Sequence, residues 1–183
     1  MKKLLQTARL RLKDEIAIIQ RDFSNVLTEL TVEEKAVIYW YTENGYESIN
    51  HQLRNSKGQK VTPLGQLLDI ALSKLPMYNF IVYRGLRFSE LRLERYKKAL
   101  DNSEQLIEFA FTSTSINRYT ALKYGEIILR IFSKNGKLIE NISKFGINSP
   151  FNEKEVLFTK KSYFIVLGIK QENNNHIITL EEI

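Results

Sequence analysis

Apolar residues recur at helical spacing through roughly the first 75 positions, then give way to short β-rich runs. Leu5, Ala8, Leu12, Ile16 and Ile19 fall on one helical stripe, with lysines and arginines between them. Thr31-Val32-Glu33-Glu34 has the T-x-x-E form of a capping box, which predicts a helix running through Val37, Ile38 and Tyr41. Asn44-Gly45 is expected to end it, and a short helix should follow from Tyr46 to about Arg54. Asn55 to Lys60 reads as a loop. Thr62-Pro63 then opens another helix, with Pro at the first helical position and a stripe of Leu64, Leu67, Leu68, Ala71, Leu72 and Leu75 before Pro76 stops it.

From Tyr78 the period changes. Phe80 to Tyr83 is a β-rich run that ends at Arg84-Gly85. Ser89 is placed to cap a helix reaching Leu100. Strands are expected at Phe109 to Ser115, Glu126 to Phe132, Lys137 to Ile142, Glu153 to Thr159, Tyr163 to Ile169 and His176 to Leu180, with a short helix from Asn117 to Tyr124. Helices first and strands afterwards point to an α+β architecture rather than a doubly wound parallel sheet.

Composition narrows the chemistry. The 183 residues suit one domain, with a helical part over 1–76 and a β core over 77–183. With no cysteine there are no disulfides, thiolate metal sites or cysteine nucleophiles. His51 and His176 are the only histidines, so no metal site is expected and a Ser-His-Asp triad is a weak idea. The P-loop, Rossmann G-x-G-x-x-G, H-E-x-x-H and G-x-S-x-G patterns are all missing. A net charge of +6 permits an anionic ligand, nucleic acid or an acidic partner surface without requiring one. No membrane-spanning run occurs, and Arg9, Arg11, Lys13 and Asp14 interrupt the signal-like start Met1-Lys2-Lys3-Leu4-Leu5. The reading is a protein made in the cytoplasm without a cleaved signal peptide and acting in the cytosol of the producing or a target cell, with delivery by another route as an option.

Three features carry candidate chemistry. Tyr83-Arg84-Gly85 closes an apolar strand, where an arginine can offer a planar fork of donors to a phosphate and a glycine lets a ligand approach the backbone. Phe111-Thr112-Ser113-Thr114-Ser115 places Ser113 and Ser115 on one strand face. In Glu153-Lys154-Glu155, period-two alternation puts two like charges on one face, and such a pair wants a cationic partner or a role. The turn-rich Gly146 to Asn152 before it fits a loop that presents Phe151 to a partner. Taken singly, each also fits a surface arginine before a turn, a polar edge strand and a solvated strand end.

Their order is more specific. Aromatic-Arg-Gly, then F-x-S-T-S, then E-x-E resembles the R-S-E group of ADP-ribosyltransferases, most closely the arginine-modifying bacterial exoenzymes, including the enzymatic components of clostridial binary toxins. Thr31 to Asn50, with Tyr41-Thr42 and Tyr46-x-x-Ile49-Asn50, resembles that family's helical segment, and Ala121 to Tyr124 its helix and loop after the S-T-S strand. The likeness covers about Thr31 to Ile169. It implies N-terminal helices followed by two packed mixed or antiparallel sheets that form a cleft for NAD. Arg84 would hold the NAD phosphates and Gly85 would contact the nicotinamide amide through its backbone. Ser113, with Thr114 beside it, would position Glu155, which would bind the ribose and stabilise the oxocarbenium ion. Glu153 would engage the incoming guanidinium. Tyr41, Tyr46 and Asn50 would line the cleft, Tyr124 would flank the nicotinamide, and Phe151 would belong to the loop that recognises the target. Two departures stand out. The chain is too short for the adaptor-like domain of the binary toxins, and Gly85 stands where some members carry a second arginine.

The expected activity is therefore transfer of ADP-ribose from NAD, a substrate here, to an arginine of a target protein, by a toxin or effector of bacterial or phage origin. An immunity protein or antitoxin would then be a further partner. RNA or DNA as acceptor, NAD hydrolysis as the main act, and a degenerate binding-only member are the alternatives.

Overall fold

A computed structural model describes residues 1–183. The helical lobe begins with α1 (Lys2–Arg11) and α2 (Lys13–Asp22), which break at Leu12 instead of forming one rod. Their common stripe still points inward. Ala8, Leu12 and Ile19 are buried in a core that also takes Ala36, Val37 and Ile38 of α3 (Val32–Trp40) and the leucines of α5 (Pro63–Lys74). The first helices thus pack on the domain, and their lysines and arginines face outward.

The capping box expected at Thr31 is present. Its hydroxyl accepts the Glu34 N–H, and the Glu34 carboxylate accepts the Thr31 N–H at 2.8 Å and pairs with Lys74 of α5. Asn44-Gly45 does not end this helix. The chain widens into one π-helical turn over Tyr41–Gly45 and continues directly as α4 (Tyr46–Asn55). Gly45 has ordinary helical dihedrals, and its missing side chain makes room for the Trp40 ring. The glycine therefore answers a packing need, where the sequence suggests a stop.

Nine strands follow: β1 (Met77–Tyr78), β2 (Ile81–Leu86), β3 (Leu106–Glu108), β4 (Thr112–Ser115), β5 (Ile127–Phe132), β6 (Gly136–Leu138), β7 (Glu155–Phe158), β8 (Ser162–Glu172) and β9 (Asn175–Glu182). Helices α6 (Glu90–Asp101) and α7 (Arg118–Leu122) interrupt them. The expected strand from Phe109 to Ser115 is corrected. Leu106–Glu108 pairs with β8 at one edge, and the chain crosses through Phe109 to Phe111 before Thr112–Ser115 pairs with β7. The strand expected over Lys137 to Ile142 ends at Leu138.

Strand order is β1-β6-β7-β4-β2-β5-β9-β8-β3, with only β5 and β9 parallel. Continuity is thin at one place. β2 and β4 share a single paired position, Tyr83 with Ser115. On either side of it lie two fuller ladders, β1-β6-β7-β4 and β2-β5-β9-β8-β3. They behave as two sheets hinged at that pair, and Val156 and Phe158 of one meet Val82, Leu129, Ile131 and Phe164 of the other in a shared core. Leu157, on the opposite face of β7, joins the helical lobe. No helix is long and apolar enough to cross a membrane.

Helix α7 lies against β2 so closely that a side chain on Gly85 would run into the carbonyl oxygen of Ala121. Backbone cannot yield as a flexible side chain can, so overpacking here is costly. Gly85→Ala is expected to cost about 2–3 kcal/mol in urea denaturation, and Gly168→Ala, whose added methyl meets nothing within 4 Å, less than about 0.5 kcal/mol. Equal midpoints for the two variants would refute this account of Gly85.

Candidate active site

A cleft of about 930 Å³ opens where β4 parts from β2 and is roofed by the π turn and α4. Every site residue expected from the sequence lines it: Tyr41, Tyr46, Asn50, Arg84, Gly85, Ser113, Thr114, Tyr124, Phe151, Glu153 and Glu155. Residues more than a hundred positions apart are gathered by four elements, the helical roof, the parted strands, the turn after α7 and the loop before β7.

On the floor, Arg84 donates through Nη1 to the carbonyl oxygen of Ser113 at 2.5 Å. No carboxylate pairs with it. Burial pulls its guanidinium below the ordinary arginine value, with Tyr41 and Glu108 opposing that pull. A half-buried cation without a counterion is costly unless a ligand supplies the charge.

In the roof, Asn50 donates through Nδ2 to the Tyr41 hydroxyl at 2.9 Å, and burial pushes the Tyr41 phenol up, so it stays protonated. The other amide atom, Asn50 Oδ1, is buried with no partner. An orphaned acceptor at the cleft wall fits a ligand that brings a donor.

Glu155 opens β7 and is 4% exposed. Burial raises its carboxyl to about 7. The hydroxyls of Ser113 and Ser143 and the charge of Arg84 pull it back, and Glu153 pushes it further up. Ser143 Oγ donates to Glu155 Oε2 at 3.2 Å. Glu153 reaches the same cleft, but simple alternation does not bring it there. Lys154 sits at φ 47°, in the left-handed region, and β7 begins only at Glu155. Glu153 is instead held by backbone, its N–H donating to the Phe145 carbonyl at 2.8 Å and its carbonyl accepting from Ser115 Oγ at 2.6 Å. Its carboxylate accepts from the Tyr124 hydroxyl. Phe151 stands exposed at the rim.

A model of the ADP-ribosyltransferase exoenzyme family matches residues 20–183. The chain belongs to that family. A Mycobacterium avium protein, Mav, whose name carries the assignment NAD(+)–arginine ADP-ribosyltransferase, is 32% identical over 150 residues. That match covers 78% of this chain and 17% of Mav, so the chain corresponds to a small part of that relative. Among solved structures, HopU1 of Pseudomonas syringae superposes with a TM-score of 0.83 at 21% identity, over 94% of this chain and 87% of that one. Exoenzyme S of Pseudomonas aeruginosa, solved with human 14-3-3 protein beta and carba-NAD, gives 0.76 at 21% identity, over 99% and 88%. These structural likenesses establish the exoenzyme fold for this chain.

Several contributors to the cleft escape the sequence reading, among them Arg54, Thr42 and, through its bond to Glu155, Ser143. Arg54 of α4 faces the cleft and, like Arg84, has no carboxylate partner. A signal for it existed, because Tyr46, Asn50 and Arg54 fall at i, i+4 and i+8 on one helix face. Thr42 accepts the Lys144 N–H at 2.9 Å and ties the loop before β7 to the π turn. Ser143 belongs to a turn-rich stretch with no local pattern to mark it.

Burial of Glu155 links its proton to stability. The folded carboxyl holds its proton up to about pH 7, against an ordinary value of 4.5. Between those values the folded state binds more protons than the unfolded state, so stability contributed here falls as pH rises through that window. Glu155→Gln cannot ionise. It is expected to exceed the wild type by on the order of 2 kcal/mol at pH 8 and to lose that advantage at pH 4.5. Urea denaturation at the two values checks this, and a gap independent of pH would contradict it.

Proposed function

We propose that this chain, as one catalytic domain, is an NAD-dependent mono-ADP-ribosyltransferase that moves ADP-ribose from NAD to an arginine of a target protein and releases nicotinamide. One observation carries the reading. A single cleft is lined both by Arg84 and Arg54, which have no carboxylate partner, and by the Glu153 and Glu155 carboxylates, in a chain of the exoenzyme family. NAD has the matching polarity, with an anionic pyrophosphate and a cationic nicotinamide ring.

Arg84 and Arg54 would hold the pyrophosphate, so the second cation comes from α4 while Gly85 occupies the strand position. Tyr41 is fixed by Asn50, and Tyr46 lies beside it in the roof. Together they would cover the NAD from the helical side. The glycosidic bond between ribose C1′ and the nicotinamide nitrogen breaks, and the electron pair leaves with neutral nicotinamide. Positive charge then develops on the ribose ring. Glu155, ionised once the cationic substrate is beside it, is a fixed anion near that charge. An arginine nitrogen of the target forms the new bond to C1′ and loses a proton, which Glu153 is suited to receive. The name of Mav supports arginine as acceptor, and so does a carboxylate at position 153, because carboxylate and guanidinium match in charge and geometry. Phe151 at the rim would touch the target surface.

Nicotinamide release from NAD, measured with and without agmatine, tests the proposal. The wild type should form ADP-ribosyl-agmatine. Glu155→Gln should lower release by about 100-fold or more, and Arg54→Ala should raise the KM for NAD about tenfold. Release that ignores agmatine but modifies RNA would move the acceptor to nucleic acid, and absence of NAD cleavage would defeat the enzyme reading.

A further inference from the structure

The bond between Tyr124 and Glu153 joins the two halves of the cleft. Tyr124 follows α7, which packs on β2, and its N–H donates to the Ala121 carbonyl at 3.0 Å. The next residue, Gly125, has φ 147° and lies against the Leu86 carbonyl, so the backbone carrying Tyr124 is fixed to the β2 sheet. Glu153 belongs to the other side, fastened to Phe145 and Ser115 by its backbone. Its carboxylate receives its hydrogen bond from Tyr124 across the mouth. Tyr124 is 53% exposed, so this bond sits where an acceptor must enter. Burial and the adjacent carboxylates push the phenol up, which keeps it a donor at every working pH.

A carboxylate offers about four lone-pair positions. The phenol takes one on Oε1 and leaves Oε2 and the outer side of Oε1 for the two parallel donors of a guanidinium. An unheld glutamate on a loop would sample several rotamers, and ordering it would be paid at the moment of transfer. We propose that Tyr124 is a positioning residue for the acceptor: its hydroxyl, reaching across the cleft mouth, fixes the Glu153 carboxylate for a guanidinium and favours transfer over hydrolysis. This rests on the transferase reading above. It goes beyond an aromatic ring flanking nicotinamide, because phenylalanine would supply the ring without the bond.

The test compares the wild type, Tyr124→Phe, Glu153→Gln and the double variant, as the full chain, with NAD and agmatine. Both ADP-ribosyl-agmatine and free ADP-ribose are quantified. The ratio of transfer to hydrolysis should fall about tenfold in Tyr124→Phe, the size expected for losing one hydrogen bond to a charged group. In the Glu153→Gln background the same change should leave that ratio within twofold. Thermal midpoints confirm that the variants are folded, and the ratio is insensitive to the fraction of active protein. A ratio unchanged or raised by Tyr124→Phe overturns the role of Tyr124, as does an equal fall in the Glu153→Gln background. A wild type that makes no ADP-ribosyl-agmatine overturns the transferase reading and this proposal together, a result distinct from a transferring wild type with an indifferent Tyr124→Phe.

Discussion

Backbone groups that leave a sheet must find other partners, and this requirement shapes the site. Beyond the single pair of Tyr83 and Ser115, β4 and β2 part company. A strand edge opened inside a protein would strand its N–H and C=O groups at a cost of roughly 1–3 kcal/mol each. Arg84 meets part of that demand by donating to the Ser113 carbonyl. The same contact that allows the sheets to separate therefore anchors a cation on the floor of the gap. Removing it would take away both the shape of the cleft and the charge within it.

The cleft offers cations to an anionic ligand. Arg84 and Arg54 have no carboxylate partner, although Glu153 and Glu155 line the same cleft. Burial drives Glu155 toward its protonated form, while the charge of Arg84 pulls the other way. Ionising a buried carboxyl costs stability, a cost that preorganised sites commonly carry. A dinucleotide with an anionic middle and a cationic end satisfies both halves at once.

Much of this was legible in the sequence because the motif residues are fixed by short spacings on strands. Arg84-Gly85, Ser113 and Glu155 all sit in or at the start of β2, β4 and β7. What escaped lay in relations between elements. Asn44-Gly45 looked like a stop, because the space that Trp40 claims at Gly45 is a tertiary fact. Phe109 to Ser115 looked like one strand, since the crossing segment Phe109-Ala110-Phe111 is itself apolar and leaves no local mark. Glu153 and Glu155 were expected together for the wrong reason. Alternation would have served, but the chain uses a left-handed residue at Lys154 and hydrogen bonds from two other segments. Arg54 was readable from its spacing to Asn50, on the face that carries Tyr46.

The two glutamates differ in how they are held, and the difference matches the two tasks proposed for them. Glu155 is continuous with Val156, Leu157 and Phe158, a strand buried on both faces, one toward the helical lobe and the other toward the second sheet. To move its carboxylate by an ångström, the core itself would have to shift, and close-packed interiors resist that. Such rigidity suits a charge that must lie at a fixed place relative to a small sugar. Glu153 has no apolar anchor. Its position depends on polar contacts with Phe145, Ser115 and Tyr124. A protein surface arrives with its own shape and its own arginine, and the group that meets it needs local give within a defined starting geometry. One side chain is set by burial and the other by hydrogen bonds, two residues apart, so the fold can hold the reacting sugar still while the acceptor varies.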